Sequence, residues 1–290
     1  MFTIGVDIGG TKIKIGLLSG GHLVKEKTIE TPKENVIKKL TTAIIEVAQK
    51  EYIQGIGVAS AGIVDMEKGL IQRAANLPVL EGVPVKSILE ETFQVPVIIG
   101  NDANCAAWAE GEIGAAQSVN SFICVTLGTG IGSGIILNGE LVQGKNGYGG
   151  EVGHMTIIPN GLLCGCGRRG CWEAYASGKA LEGKIAENEL LSEKHYHPKE
   201  LFKQYKHQSS CKIIVDHFID YLSMGITNLQ YVFDPERIVI GGGIIDSGDQ
   251  WWEGFINTLK NKSSIPIDVQ RARLNNNASM IGASYLAVKE

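Results

Sequence analysis

Apolar residues recur along this chain at two spacings, every second residue and every third or fourth, and their alternation predicts an α/β architecture. Phe2-Thr3-Ile4-Gly5-Val6-Asp7-Ile8 reads as a strand ending in a Gly-Gly-Thr turn, and Ile13 to Leu18 as the strand that returns from it. Ser19-Gly20-Gly21 then turns the chain into a third short strand. Thr31-Pro32-Lys33-Glu34 offers an N-cap threonine, proline at N1 and glutamate at N3 ahead of an apolar stripe of Val36, Ile37, Leu40 and Ile44, which predicts a helix over 32–50. Gly55 to Ala59 and Val97-Ile98-Ile99 read as buried strands. The first runs into Ser60-Ala61-Gly62, and the second ends at Gly100-Asn101-Asp102, with Asp102 as the N-cap of an alanine-rich helix over Ala103 to Glu110.

From Ser121 the opening pattern comes round again, as an internal duplication would produce. Phe122 to Leu127 is a strand, Gly128-Thr129-Gly130 a glycine turn and Gly134 to Leu137 the returning strand, and Asn138-Gly139 is a two-residue hairpin signal before Glu140-Leu141-Val142. Helices are expected over Lys179 to Leu191, Lys212 to Phe233 and Ala278 to Val288, with a strand at Arg237 to Ile240 running into Gly241-Gly242-Gly243. The chain divides on this reading into a lobe over 1–118 and a lobe over 119–277, with the final helix, 278–290, returning to the first. A length of 290 residues accommodates two such lobes.

Composition narrows the function classes. At 44% hydrophobic and 20% charged residues the chain is an ordinary globular protein, and a net charge of −4 provides no basic face for nucleic acid. No apolar run reaches the roughly 20 residues that cross a bilayer, and no cleavable leader opens the chain, so neither membrane nor nucleic acid is an expected partner and the expected compartment is the cytoplasm. In that reducing compartment six cysteines are not a disulfide framework. Cys105, Cys124 and Cys211 stand alone in apolar or helical stretches and read as core. His195, His197 and His207 lie in a polar, lysine-rich stretch and read as solvated surface.

Three strand ends run into glycine, where backbone N–H groups approach an anion without a Cβ in the way. They are Asp7-Ile8-Gly9-Gly10-Thr11-Lys12, Leu127-Gly128-Thr129-Gly130-Ile131-Gly132 and Gly241-Gly242-Gly243. None carries the lysine-bearing phosphate-loop pattern, and the Gly-x-Gly-x-Gly at 128–132 opens a hairpin rather than a helix, which excludes a dinucleotide-binding turn. Asp7 suits a water-mediated contact to Mg²⁺, or is a plain turn aspartate.

His154, Cys164, Cys166 and Cys171 form H-x9-C-x-C-x4-C, with Gly165, Gly167 and Gly170 between them. Three thiolates and an imidazole complete a tetrahedral zinc site with no open position, so a metal there is structural, and the loop 154–171 is its cradle. Arg168 and Arg169 favour thiolates or are simply solvated. Glu151 and Glu173 flank the cluster, and a rigid loop that holds two carboxylates suits hydrogen bonding to neighbouring sugar hydroxyls. As plain surface acids they would need no such framing.

With these residues together the sequence resembles the ROK family, which groups repressors, open reading frames and sugar kinases. The resemblance rests on Asp7-Ile8-Gly9-Gly10-Thr11-Lys12, Gly100-Asn101-Asp102-Ala103-Asn104, Leu127 to Gly132, Glu151-Val152-Gly153-His154 and Cys164-Gly165-Cys166-Gly167-Arg168-Arg169-Gly170-Cys171-Trp172-Glu173. It implies an actin-like, hexokinase-like (ribonuclease H-like) duplicated α/β fold of two lobes with nucleotide in an interlobe cleft. It further implies ATP with Mg²⁺ as phosphoryl donor and a hexose or hexose derivative, such as glucose, a β-glucoside or N-acetylmannosamine, as acceptor at its 6-hydroxyl. Asp102 is then the catalytic base, and Asn101, Asp102, Glu151, His154 and Glu173 face the sugar. Asp7, Gly9, Gly10, Thr11 and Lys12, then Gly128, Thr129, Gly130 and Gly132, serve the phosphates, and Gly241 to Gly243 approach the adenosine. On the same resemblance His154 serves twice, one ring nitrogen on zinc and the other donating to a sugar hydroxyl, and the chain is a homodimer.

Many sugar kinases of the family carry Pro-Gly where this chain has Ser60-Ala61-Gly62. Selection among sugars is therefore expected in the loops near Ala61, Asn76 to Pro78 and Glu140 to Gly147. The alternative function is a non-catalytic sugar-sensing regulator of the same fold. Against it stand Asp102 and a first strand at residue 2, which leaves no helix-turn-helix segment.

Overall fold

The structure is a computed structural model that describes residues 1–74 and 77–288. Asn76, one of the residues expected to select among sugars, lies outside the described residues. In chain order the first elements are β1 (Phe2–Ile8), β2 (Lys12–Ser19), β3 (His22–Glu30), α1 (Val36–Ala48), β4 (Ile53–Ser60), β5 (Ile63–Asp65), β6 (Leu70–Arg73), α2 (Val85–Phe93), β7 (Val97–Asn101) and α3 (Asp102–Glu112). There follow β8 (Phe122–Leu127), β9 (Ile131–Leu137), β10 (Glu140–Leu141), α4 (Glu173–Ala176), α5 (Gly178–Ala186), α6 (Glu189–Glu193), α7 (Pro198–Lys203) and α8 (Ser209–Phe233). Last come β11 (Arg237–Gly241), α9 (Gly248–Lys262), β12 (Val269–Arg271) and α10 (Ala278–Leu286).

The duplication is visible in the sheets. One runs β3-β2-β1-β4-β7 and the other β10-β9-β8-β11-β12. Antiparallel β2-β3 corresponds to β9-β10, and the parallel pairs β1-β4 and β4-β7 correspond to β8-β11 and β11-β12. The chain forms two compact units, one of Met1–Asn120, Gly134–Gly149 and Asn276–Glu290, the other of Ser121–Ser133 and Gly150–Asn275.

In the first unit alternation along the strands divides two kinds of packing. Ile4, Val6 and Ile8 of β1, Ile13 and Ile15 of β2, and Ile56 and Val58 of β4 join Leu40, Ile44 and Val47 of α1 in one buried cluster. Among the intervening residues Gly5, Gly16, Gly57 and Ala59 are small because α10 lies against the sheet there. A Cβ on Gly57 would stand 1.8 Å from the Ala283 carbonyl oxygen of α10, and one on Gly282 would stand 1.7 Å from the Cys105 carbonyl oxygen of α3. The buried Cys105 sits in that seam with Ala59 and Ala283. The second unit has an aromatic core, in which Trp251 of α9 packs edge-on to Phe218 of α8 at 5.3 Å between ring centres and lies 5.9 Å from Phe202 of α7.

Several elements differ from the sequence expectations, each for a local reason. Thr31 does not cap α1: its N–H and hydroxyl donate to the Thr11 and Gly9 carbonyls at 2.9 and 2.6 Å, which carries the β2–β3 ladder one residue further and ties the end of β3 to the first glycine turn. The helix starts at Val36 instead, after Asn35 in the left-handed region at φ 56°. Asp102 is not the N-cap of α3 but its first residue, and Asn101 is the cap, its side-chain oxygen accepting from Ala103 and Asn104 N–H at 2.9 and 3.1 Å. The helix expected over 179–191 breaks after α5, because Asn188 caps a new helix, α6, by accepting from Leu191 N–H at 3.3 Å. β9 begins at Ile131 rather than Gly134, so the glycine turn before it is only three residues long. The third strand is long, nine residues, and its alternating exposed positions carry His22, Val24, Glu26, Thr28 and Glu30 on a sheet edge. Helices α2, α4, α7 and α9 and the short strands β5, β6 and β12 had no predicted counterpart.

The close helix–sheet approach gives a direct test. Gly57→Ala forces a methyl into the Ala283 backbone, an overpacking expected to lower the Tm by about 5 °C or more in a circular-dichroism melt. Gly183→Ala, in α5 where an added Cβ meets nothing within 4 Å, leaves the Tm unchanged or raises it slightly.

Candidate functional site

In the first unit the chemistry-bearing residues collect where parallel strands end. β1, β4 and β7 pair in register, with Asp7 beside Ala59 and Ala59 beside Gly100, then Ile8 beside Ser60 and Ser60 beside Asn101. The first glycine turn, the Ser60-Ala61-Gly62 loop and Asn101-Asp102 therefore leave the same edge of one sheet, the edge at which parallel α/β sheets hold ligands. The turn itself is tight, Gly9 N–H donating to the Lys12 carbonyl at 3.0 Å, and Gly10, Thr11 and Lys12 are exposed. Burial pushes the Asp7 carboxyl up to about 6, against the lowering influence of the Lys14 ammonium. Asp7 and Asp102 both act on the Cys105 thiol, whose pKa burial raises first and their charges raise further.

Asp102 occupies the first turn of α3, and its Oδ1 accepts from Ala103 N–H at 2.8 Å. A helix N-terminus favours the ionised form of such a carboxyl. Asn101 is more occupied than its sequence role suggests. Its oxygen caps the helix and its amide nitrogen donates to the Gly62 carbonyl at 2.9 Å, which leaves one amide hydrogen for a ligand. That last bond fastens the Ser60-Ala61-Gly62 loop to the head of α3. Gly62 itself has φ 98°, and a Cβ there would stand 2.2 Å from the Arg73 carbonyl oxygen.

In the second unit the other two glycine turns are neighbours. β11 runs parallel to β8 with Gly241 beside Thr126, and Gly242, at φ 85°, leaves no room for a Cβ, which would meet the Leu127 carbonyl oxygen at 2.4 Å. The turn after β8 is held on several sides. Gly128 N–H donates to the Gly130 carbonyl at 3.0 Å, the Gly128 carbonyl accepts from Gly178 N–H at 2.8 Å, and the Thr129 carbonyl accepts from Lys179 N–H at 3.1 Å. Thr129 is exposed and Gly128 has open space around it.

His154, Cys164, Cys166 and Cys171 converge, all four donor atoms lying within 4.8 Å of one another. His154 Nδ1 is 3.7 Å from Cys164 Sγ, and Cys166 Sγ is 3.7 Å from Cys171 Sγ. A tetrahedral ion with Zn–S of about 2.3 Å and Zn–N of about 2.0 Å separates its donors by about 3.5–3.8 Å, so the donor set suits zinc in chemistry and these two pairs match it in spacing. Backbone bonds shape the hairpin independently: Cys164 N–H donates to the Arg168 carbonyl at 2.8 Å and Gly170 N–H to the Leu162 carbonyl at 2.8 Å. Gly167 and Gly170 take φ 86° and 78°, and a Cβ on Gly170 would stand 1.8 Å from the Ile158 carbonyl oxygen. Burial raises the pKa of Cys164 to about 12, and on Cys166 it acts the same way but is overcome by hydrogen bonds from the Arg168 backbone and the neighbouring thiols, so Cys166 falls below an ordinary thiol.

The remaining predicted residues stand around this cluster. His154 Nε2 faces Glu151 Oε2 at 3.8 Å, beyond hydrogen-bond reach. Burial pushes the Glu151 carboxyl up, His154 lowers it and Glu173 raises it again, so the three groups share one electrostatic neighbourhood. Glu173 begins α4 directly after Cys171 and the fully buried Trp172, whose indole N–H donates to the Tyr221 carbonyl at 2.9 Å. Sequence reasoning missed Ile131, whose N–H donates to Glu173 Oε2 at 2.9 Å, and Ser177, which caps α5 through Ala180 N–H at 3.2 Å. Ser177-Gly178 opening a helix was a legible signal for the second, but nothing in the sequence marks the first. A cavity of about 680 Å³, also not foreseen, lies beside the hairpin and includes Thr129, Leu163, Tyr175, Lys179 and Tyr221 in its lining.

As the sequence reading expects, Cys105, Cys124 and Cys211 are buried and His195, His197 and His207 exposed. Among the described residues no helix is long and apolar enough to cross a membrane.

Comparison with known proteins shows the family of the whole chain. The ROK family profile matches residues 3–290. A glucokinase of Streptomyces coelicolor is 34% identical over 98% of this chain and 97% of its own, and an N-acetylmannosamine kinase of Haemophilus influenzae is 31% identical over 98% and 95%. The crystal structure of a ROK family glucokinase from Streptomyces griseus in complex with glucose and AMPPNP superposes with a TM-score of 0.87 at 31% identity, covering both chains completely. The fold is accordingly the duplicated α/β fold of the actin-like, hexokinase-like class, and the chain belongs to the ROK family.

Proposed function

We propose that this chain transfers the γ-phosphoryl group of ATP to the 6-hydroxyl of a hexose or hexose derivative, with Asp102 as general base. That it is an ATP-dependent sugar kinase follows from end-to-end similarity to a glucokinase and an N-acetylmannosamine kinase and to the glucokinase structure holding glucose and AMPPNP. The role of each residue is our reading. The observation that carries it is the seat of Asp102: a carboxylate in the first turn of α3, at the strand edge that also bears Asp7 and the first glycine turn.

A carboxylate there accepts the proton of the sugar hydroxyl as its oxygen attacks phosphorus, and the α3 N-terminus keeps it ionised until it does. The rest of phosphoryl transfer is positioning and charge neutralisation. On this reading the backbone of Gly9, Gly10 and Thr11, with Lys12, and that of Gly128, Thr129, Gly130 and Gly132 hold phosphate oxygens, while Gly241 to Gly243 border the adenosine. Asp7 holds Mg²⁺ through water, and the ion neutralises phosphate charge. Asn101, through its remaining amide hydrogen, and Glu151, His154 and Glu173 bind sugar hydroxyls. Zinc on His154 Nδ1, Cys164, Cys166 and Cys171 fixes the hairpin and leaves His154 Nε2 for the sugar. A cytoplasmic homodimer belongs to the same reading, on the family resemblance alone.

Three outcomes check these roles. Asp102→Asn is expected to lower kcat by about 10²–10⁴-fold in a coupled ADP-release assay while the glucose Kd by calorimetry stays within about tenfold, since the lost interaction acts in the transition state. Turnover near that of the unaltered chain would remove Asp102 from the role of base. Metal analysis is expected to return about one zinc per chain, and Cys166→Ser to lower both zinc content and Tm.

The third concerns Asp7. A carboxyl raised from 3.8 to about 6 binds its proton more tightly folded than unfolded, so its contribution falls as pH rises from about 4 to about 6 and stays low above that. Asp7→Asn is therefore expected to raise the Tm of the ligand-free chain at pH 7.5 but not at pH 4, and to impair turnover. An unchanged Tm at pH 7.5 would show that the carboxylate carries no burial penalty.

A further inference from the structure

Glu173 makes one contact that sugar binding does not require. Its Oε2 accepts the Ile131 N–H at 2.9 Å, at the point where the second glycine turn re-enters β9. Gly130 is glycine for the same reason, since a Cβ there would stand 2.1 Å from Glu173 Oε2. The other carboxylate oxygen, Oε1, lies 3.7 Å from Cys164 Sγ, so the group spans from the cysteine hairpin to the turn.

The arm that carries this carboxylate is stiff. Cys171 closes the hairpin, and Trp172 follows fully buried, its ring filling the space that a side chain at Gly225 of α8 would take, 2.0 Å from a Cβ there. Its indole N–H is bonded to the Tyr221 carbonyl at 2.9 Å. Glu173 comes next, so it inherits a fixed origin on α8 and delivers a charged acceptor to one backbone N–H. The turn's own carbonyls are held on the opposite flank by Gly178 and Lys179 N–H at the head of α5. With both flanks tied, the remaining freedom of Gly128-Thr129-Gly130 is small, although three such residues would otherwise sample many conformations.

We infer that Glu173 is a positioning residue for the phosphate turn: by holding the Ile131 N–H it presets the conformation in which Gly128 to Gly130 receive nucleotide phosphates. This rests on the reading that the turn binds phosphate, and it adds to that reading a dependence of nucleotide affinity on a residue otherwise assigned to the sugar. Preorganisation of this kind lowers the ordering cost paid on binding.

The test measures nucleotide binding with no sugar present. Calorimetry of the full-length chain with AMPPNP and Mg²⁺ is expected to show Kd raised about tenfold or more by Glu173→Ala, the worth of a hydrogen bond to a charged acceptor. Glu173→Gln, which keeps a carbonyl oxygen for Ile131, is expected to stay within about threefold of the unaltered chain. In the ligand-free proteins the Ile131 amide exchanges faster in Glu173→Ala and is protected again in Glu173→Gln, while zinc content is equal in all three. A residue that only contacts sugar would leave nucleotide Kd and Ile131 exchange unmoved in every variant, and that result overturns the inference. So does a Glu173→Gln variant as weak as Glu173→Ala. If the unaltered chain binds no AMPPNP, the phosphate reading of the turn fails first and the inference with it.

Discussion

The parallel pairing of β1 with β4 and of β4 with β7 is the constraint on which the first unit's chemistry depends. Because the three strands run the same way and in register, Asp7, Ser60 and Asn101 are delivered to one edge of the sheet although they lie 53 and 94 positions apart from the first in sequence. The constraint is enforced from behind. Gly57, Ala59 and Cys105 let α10 and α3 pack at backbone contact, and a larger side chain at Gly57 would displace the helix whose first turn carries Asp102 or the one it packs against. Small residues on one face of the sheet thus bear on the chemistry at its end.

The second unit reaches a comparable result with different means. There the fixed point is the short run from Cys171 to Glu173, in which a candidate metal ligand, a buried indole and a charged acceptor follow one another without a flexible residue between them. A structural ion in such a place is more than a clip for a loop. It would set the origin of the side chains around it, Glu151 and His154 on one side and Glu173 on the other, and an error of an ångström there would propagate to both ligands of the proposed reaction.

Most of the fold could be read from the sequence because strand alternation and glycine punctuation are strong, short-range signals. The duplication was legible from Phe122 to Leu137 repeating Ile4 to Leu18, and the sheets repeat in the same order. What escaped was decided by partners distant in sequence. Thr31 has every local mark of an N-cap, but the Gly9 and Thr11 carbonyls claim its side chain and N–H. Asp102 and Asn101 are equally good caps on composition, and the Gly62 carbonyl, by orienting the Asn101 amide, favours Asn101. The convergence of His154, Cys164, Cys166 and Cys171 was readable because their spacing is itself the signal, whereas the Ile131 N–H, a backbone group, leaves no trace in the letters.

The site is proposed to run one reaction, and the product identifies it. Phosphorus-31 NMR of the purified chain with ATP, Mg²⁺ and glucose, extended to N-acetylmannosamine and a β-glucoside, observes every phosphorus species at once. The expected result is loss of the γ-phosphate signal of ATP matched by ADP and by a phosphomonoester coupled to the two protons on C6 of at least one of these sugars. ATP converted only to ADP and inorganic phosphate, or left intact with every sugar while the chain binds them, would contradict it.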